Sequence, residues 1–358
     1  MERIGLVGLP NAGKTSLFNA LTGADAPVAS HPFTTTETTV AVAPLPDPRL
    51  DALARMSASR KVVRAGVEVV DIAGLVPGSS TGEGLGNRFL AGIREVDAIC
   101  VVVRAFENPE VPGDTDPVDA LATLELELVL ADVATVEAQI DKRRKAARAD
   151  KSLAAEVSAI ESAYRALCAG VPLYRAGLDP AERALRRGLF LLTDKPVLVV
   201  VNVAEDQLGK SDALVAEVTA ALDGHGEALA ASVQLEAEAA RLAPEERAEL
   251  LEGLGLGEGA LARVARAAYL LLGRRVFFTT GDKESRAWSF RAGATAPECA
   301  GVIHSDLQRG FIRAEVIEWD ELVELGSWQA AKAAGRIRLE GKDYQVADGD
   351  VLEIRFNV

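Results

Sequence analysis

Eight residues near the start, Gly8-Leu9-Pro10-Asn11-Ala12-Gly13-Lys14-Thr15, satisfy the spacing G-x-x-x-x-G-K-[ST] in full. Glycines at these points let successive backbone N–H groups turn toward a phosphate, and the N-terminus of a following helix adds its positive dipole end. Lys14 bridges β- and γ-phosphates, and the Thr15 hydroxyl reaches Mg²⁺. Lys14 reads as an exposed loop lysine that adds little to stability. Asp71-Ile72-Ala73-Gly74 has the D-x-x-G form, a metal-facing carboxylate (Asp71) followed by a glycine (Gly74) that senses the γ-phosphate. Leu75 then stands where a water-orienting glutamine is common, and a leucine cannot orient water by hydrogen bonding. Slow intrinsic turnover follows, with another group needed to stabilise charge. Asn11, inside the loop, is a candidate: its amide oxygen suits a hard monovalent cation such as K⁺. The alternative is that Asn11 shapes the loop by bonding its own backbone.

Three further stretches bear on the site. In Ser30–Glu37 a hydroxyl is expected to close over the γ-phosphate and complete the Mg²⁺ shell, and three adjacent threonines, Thr34, Thr35 and Thr36, leave the choice open. Asn202-Val203-Ala204-Glu205 stands where a guanine site reads N-K-x-D. Glu205 is too long for the bidentate contact that an aspartate makes with guanine, and Val203 cannot cover the base as a lysine stem does. A mispaired polar group in such a site is costly, so the stretch argues against guanine and fits adenine. The plainer reading is that Asn202 caps a helix after a strand. Finally Lys142, Arg143, Arg144, Lys145, Arg148 and Lys151 fall within ten positions of one another. They form a candidate RNA-contact patch, or simply a solvated helix face. His31, His225 and His304 have no metal-site spacing.

These residues need a scaffold. Ile4–Val7, Val67–Val70, Ile99–Val103 and Val197–Val201 are short apolar runs rich in β-branched residues, each followed by a polar residue or motif. They read as buried parallel strands of a doubly wound α/β sheet, with ligands at the strands' carboxyl ends. Ser16–Leu21 is the first helix. From Arg104 to Lys195 lie 90 residues, far more than one crossover requires. Leu121, Leu124, Leu128 and Ala131 lie at helical spacing, Gly170-Val171-Pro172 breaks the pattern, and Asp179-Pro180 opens a further helix. We expect an inserted helical hairpin over 118–192, coiled-coil-like or else packed on the sheet. Val276–Thr280 and Leu352–Val358 read as strands of a separate C-terminal region. The chain has 358 residues and 49% hydrophobic residues, enough for two or three packed cores. Its net charge of −14 disfavours a protein that coats nucleic acid with its whole surface. Three scattered cysteines and the lack of a long apolar run suggest a reduced, cytoplasmic setting without a membrane partner.

Taken together, Gly5–Leu21, Asp71–Val76, Asn202–Glu205 and the ending Phe356-Asn357-Val358 resemble the Obg-like ATPase (YchF) family of P-loop NTPases, and the likeness runs nearly end to end. The resemblance implies a P-loop domain over 1–117 and 193–274, a helical insertion over 118–192, and a TGS domain of β-grasp fold over 275–358. It implies ATP hydrolysis with Mg²⁺ and association with the ribosome (50S subunit and 70S), with rRNA contact through the insertion. Asn11, Ala12, Gly13, Lys14, Thr15 and Ser16 then form the phosphate loop, and Thr15 and Thr35 bind Mg²⁺ alongside Asp71. Val203 contacts adenine through its backbone and side chain, and Ser232-Val233 is a loose match to the loop that flanks the base. Leu75 matches the family's hydrophobic replacement for glutamine. Two features depart from the family pattern: Val111-Pro112-Gly113 lies where many relatives have a histidine, and Thr34–Thr39 is unusually threonine-rich. Two rival readings remain: a GTPase of the same fold, and an RNA-binding module that holds nucleotide as a structural ligand.

Overall fold

The computed structural model describes residues 2–27, 38–72, 75, 85–109, 113 and 115–357. In chain order the elements begin β1 (Arg3–Val7), α1 (Lys14–Thr22), β2 (Thr39–Pro44), α2 (Pro48–Met56), β3 (Val62–Val63), β4 (Gly66–Asp71), α3 (Leu85–Arg94) and β5 (Ala98–Arg104). Then come α4 (Pro117–Ala149), α5 (Ala154–Cys168), α6 (Pro180–Arg186), β6 (Val197–Asn202), α7 (Ser211–Ala221), β7 (Glu227–Ala231), α8 (Val233–Ala239), α9 (Pro244–Gly253) and α10 (Ala260–Leu271). The last are β8 (Arg274–Thr279), β9 (Ser285–Arg291), α11 (Ala296–Ile303), α12 (Ser305–Arg309), β10 (Phe311–Glu318), α13 (Trp319–Leu325), α14 (Trp328–Ala333), β11 (Arg338–Glu340) and β12 (Asp350–Phe356). The chain divides into two compact units, Met1–Ala43 with Glu68–Leu272, and Pro44–Val67 with Gly273–Val358.

The first unit is a six-stranded sheet in the order β2-β4-β1-β5-β6-β7. β1 lies parallel to β4 and β5, and β6 lies parallel to β5 and β7. Every residue of β5 and β6 is buried, which is why both read as unbroken apolar runs and not as alternating ones. This is the doubly wound P-loop arrangement the sequence anticipates, and it brings the carboxyl ends of β1, β4, β5 and β6 to one side.

The inserted region joins the two readings the sequence allows. α4 is 33 residues long, about 50 Å. Asp116 starts it by accepting from the backbone N–H of Val118 and Asp119, with Pro117 at the first helical position. The first half of α4 buries Leu121, Leu124 and Leu128 in the core of the sheet. Its second half buries Val136 and Ile140 against Ile160, Ala163 and Leu167 of α5. At the junction the buried Asp132 accepts from Leu192 N, Thr193 N and Thr193 Oγ1 at 2.8, 2.8 and 2.7 Å, tying the return of the hairpin to its root. Burial pushes the Asp132 carboxyl up to about 6, against the pull of those three donors.

The second unit is a mixed sheet in the order β11-β10-β12-β8-β9-β3, with α11 packed over Phe277, Phe290, Val316 and Leu352. Within it β9-β8-β12-β10-β11 is the strand order of a β-grasp. The structure corrects one boundary. Residues 44–67, assigned from sequence to the P-loop part, belong here. β3 pairs with β9, Arg49 bridges Asp47 and Asp348 at 2.9 and 2.7 Å, and Ser59 Oγ lies 2.8 Å from Ser285 Oγ. Apart from the local Arg49–Asp47 pair, these contacts have no local sequence signal, because the partners are more than 200 residues apart.

Candidate nucleotide site

The phosphate loop connects β1 to α1. Two glycines in it are enforced by close approach: a Cβ on Gly8 would lie 2.4 Å from Val102 O, and one on Gly13 2.3 Å from Asn202 Nδ2, where φ is also +96°. Asn11 has a left-handed backbone with φ 63°, a conformation asparagine tolerates better than most residues. A loop-shaping role therefore has direct support. Lys14 is not the exposed loop lysine expected from sequence. It sits in the first turn of α1, 8% exposed, with Nζ donating to Leu9 O at 2.9 Å. Burial lowers its ammonium to about 8, while the nearby Asp71 carboxylate pulls the other way.

Asp71 ends β4 and is 1% exposed. Thr15 Oγ1 donates to its Oδ2 at 2.8 Å, and its Oδ1 is buried without a hydrogen-bond partner among the described residues. Burial raises the carboxyl above its usual range, partly offset by the Thr15 bond and the charge of Lys14. A buried carboxylate with one orphaned oxygen, beside a hydroxyl, is a donor set suited to a hard divalent cation that takes its remaining ligands from phosphate and water. Leu75 is 1% exposed, packs in the core of the sheet, and donates its N–H to Gly8 O at 3.2 Å. Its side chain is structural here. Thr35 and Gly74, with Ser30–Glu37 and Val111-Pro112, lie outside the described residues.

The base-side loops meet through Asn202. Its Nδ2 donates to Ala12 O at 3.0 Å and its Oδ1 accepts from Val233 N at 3.2 Å, so one side chain joins the phosphate loop to the start of α8. The helix-cap alternative does not hold, because the short helix after β6 begins at Glu205 with Ala204 at its cap. Val203 is 2% exposed in the core, and its N–H donates to Ala231 O at 3.0 Å. The Val203 side chain is thus packed in the core. Glu205 is exposed, whereas Ser232 and Val233 are buried beside Asn202.

Two family models match the chain. One, described as "50S ribosome-binding GTPase", covers residues 3–125, and the YchF GTPase C-terminal model, described as "Protein of unknown function (DUF933)", covers 275–357. A relative from Bacillus subtilis named ribosome-binding ATPase YchF is 44% identical over 361 residues, spanning 99% of both chains. The chain belongs to the YchF family. A namesake from Haemophilus influenzae is 46% identical over 362 residues, again covering 99% of each chain. A solved structure from Schizosaccharomyces pombe, described as a YchF GTPase, superposes with a TM-score of 0.85 at 32% identity, covering 99% of this chain and 97% of its own. The printed names divide between ATPase and GTPase, so the choice of nucleotide has to be read from the site.

In this YchF chain the basic cluster splits in two. Arg143 pairs with Glu156, and Arg144 with Glu161 and Asp141 at 2.8 and 3.3 Å, so both serve the hairpin itself. Lys142, Lys145, Arg148 and Lys151 are exposed and make no ion pair among the described residues. Among the described residues no helix is long and apolar enough to cross a membrane. One residue beside the site escaped the sequence reading. Gln207 Oε1 accepts from Ala204 N at 2.8 Å and its Nε2 donates to Ala105 O at 2.9 Å. A glutamine three residues into a helix is a capping signal, but nothing local points to Ala105.

Proposed function

We propose that this YchF protein is a Mg²⁺-dependent ATPase that turns over slowly and acts as a nucleotide switch on the ribosome. The observation that carries the choice of nucleotide is the Asn202–Glu205 loop. No lysine covers the base, Glu205 replaces the aspartate that a guanine needs, and Val203 is turned into the core. The relatives named ribosome-binding ATPases support the same reading. Thr15 and Asp71 would hold the Mg²⁺, with Thr35 as a third ligand, and the ion would supply charge neutralisation at the phosphates. Asn11, Ala12, Gly13, Lys14, Thr15 and Ser16 hold the phosphates. Asn202 orders the base-side loops, with the Val203 backbone, Ser232 and Val233 around it. Gly74 and Leu75 take the D-x-x-G glycine and the position after it. Asn11 is the candidate ligand for an activating K⁺.

The exposed Lys142, Lys145, Arg148 and Lys151 support the reading that the hairpin over 118–192 meets rRNA of the 50S subunit and 70S ribosome. The β-grasp of residues 275–358 serves as a TGS domain, and the setting is cytoplasmic. Calorimetry with ATP and GTP tests the nucleotide: ATP should bind at least about tenfold more tightly, and equal dissociation constants would overturn the assignment. Turnover with and without purified ribosomal subunits, in potassium and in sodium at equal ionic strength, tests the switch. Stimulation by ribosomes and by potassium is expected, and rates indifferent to ribosomes would favour a module that holds nucleotide as a structural ligand.

A further inference from the structure

A 6-aminopurine and a 6-oxopurine present opposite patterns to a protein backbone: the first has a hydrogen-bond donor at position 6 and an acceptor at N1, the second an acceptor at position 6 and an N1–H donor. A backbone N–H available to position 6 therefore favours the 6-oxo base, and its removal favours the 6-amino one. Three such donors are already occupied. Val203 N donates to Ala231 O at 3.0 Å, Val233 N to Asn202 Oδ1 at 3.2 Å, and Ala204 N to Gln207 Oε1 at 2.8 Å. The first belongs to the sheet edge and the second to the Asn202 bridge. The third depends on Gln207 alone.

Capping the short helix at Glu205 requires only the bond to Ala204 N. Gln207 does more. Its Nε2 donates to Ala105 O at 2.9 Å, in the loop after β5, and Ala105 N donates in turn to Asn202 O at 2.9 Å. Gln207 N also donates to Ala204 O at 3.1 Å. One half-buried amide thus fixes the backbone of the base-side loop from both sides and occupies the Ala204 N–H. We infer that Gln207 is a specificity-determining positioning residue, which holds the Val203–Glu205 loop in a donor-depleted form that accepts a 6-amino purine and disfavours a 6-oxo one. The inference rests on the ATPase reading above. It adds the residue through which that preference is set.

The experiment compares ATP with inosine triphosphate, which differs from it at position 6 and in carrying a hydrogen on N1, without adding a 2-amino group. Dissociation constants for both are measured on the full-length wild type, Gln207→Ala and Gln207→Glu, together with each protein's melting temperature. In Gln207→Ala the preference for ATP over inosine triphosphate should shrink roughly three- to tenfold, the range for one net hydrogen bond. Gln207→Glu keeps an acceptor for Ala204 N and loses the donor to Ala105 O, so it should fall between the other two, and it serves as the test if the alanine variant does not fold. A purely structural glutamine would lower the melting temperature and weaken both nucleotides equally, and an unchanged ratio in the variants overturns the inference. A wild type that binds both nucleotides equally would instead overturn the ATPase reading itself.

Discussion

Lys14 should destabilise the empty protein that it equips for catalysis. Its ammonium is 8% exposed, and burial lowers its pKa from 10.5 to about 8. That drop corresponds to roughly 3 kcal/mol of disfavoured charge, at about 1.4 kcal/mol per tenfold change. Lys14→Met removes the charge and keeps the length. It also removes the bond to Leu9 O, which costs about 1 kcal/mol. The net expectation is a gain of roughly 2 kcal/mol for the empty protein at pH 7, together with loss of nucleotide binding. The sign follows from the lowered pKa. The unfolded lysine keeps its proton up to pH 10.5, whereas the folded one releases it near 8, so wild-type stability rises with pH across that window. The advantage of Lys14→Met should therefore be full below pH 8, fade as pH rises, and reverse by about pH 10.5 to a deficit of about 1 kcal/mol from the lost bond. Denaturant titrations of both proteins, without nucleotide, at pH 7 and pH 10 measure it. A variant no more stable than wild type at pH 7, or an advantage that does not shrink with pH, would refute a buried charge at this position. Retained ATP binding would refute the phosphate role.

The remaining predictions concern the metal, the bridge and the hairpin. Asp71→Asn keeps the shape and loses the charge, so the Mg²⁺ concentration for half-maximal turnover should rise about tenfold or more. A normal titration removes Asp71 from the site. Asn202→Ala deletes the bonds to Ala12 O and Val233 N and leaves both groups buried, so unfolding free energy should fall by about 1–3 kcal/mol and nucleotide affinity with it. Unchanged values would mean the bridge is dispensable. Replacing Lys142, Lys145, Arg148 and Lys151 by glutamate should weaken cosedimentation with ribosomes and flatten its salt dependence. Arg143→Ala or Arg144→Ala should instead loosen the hairpin slightly, seen as a small drop in melting temperature. Ribosome binding that is lost only in the arginine variants would contradict this division of labour.

The phosphate loop, the four central strands and the helical character of 118–192 are legible in the sequence because each is specified by contiguous residues. Gly8 and Gly13 are needed by the turn they occupy, the β5 and β6 valines by burial on both faces, and Asp116-Pro117 by the first turn of α4. The mismatch of Val203 and Glu205 with a guanine site is equally visible, since it concerns residue types at fixed positions in one loop.

What the sequence could not decide depends on which distant segments topology brings together. Lys14 reads as exposed because loop lysines usually are, yet packing of the loop against β4 and β5 buries it. Asn202 reads as a cap because asparagine caps well, but its amide spans from Ala12 to Val233, residues that meet only when the parallel sheet closes. Residues 44–67 leave the unit that surrounds them in sequence because β3 has a partner strand in β9. Gln207 acquires its second bond only because β5 and β6 are neighbours in register, Arg104 against Asn202, which places Ala105 beside a helix 102 residues further along. Local backbone chemistry is written in consecutive residues, whereas burial and long-range pairing are properties of the closed sheet.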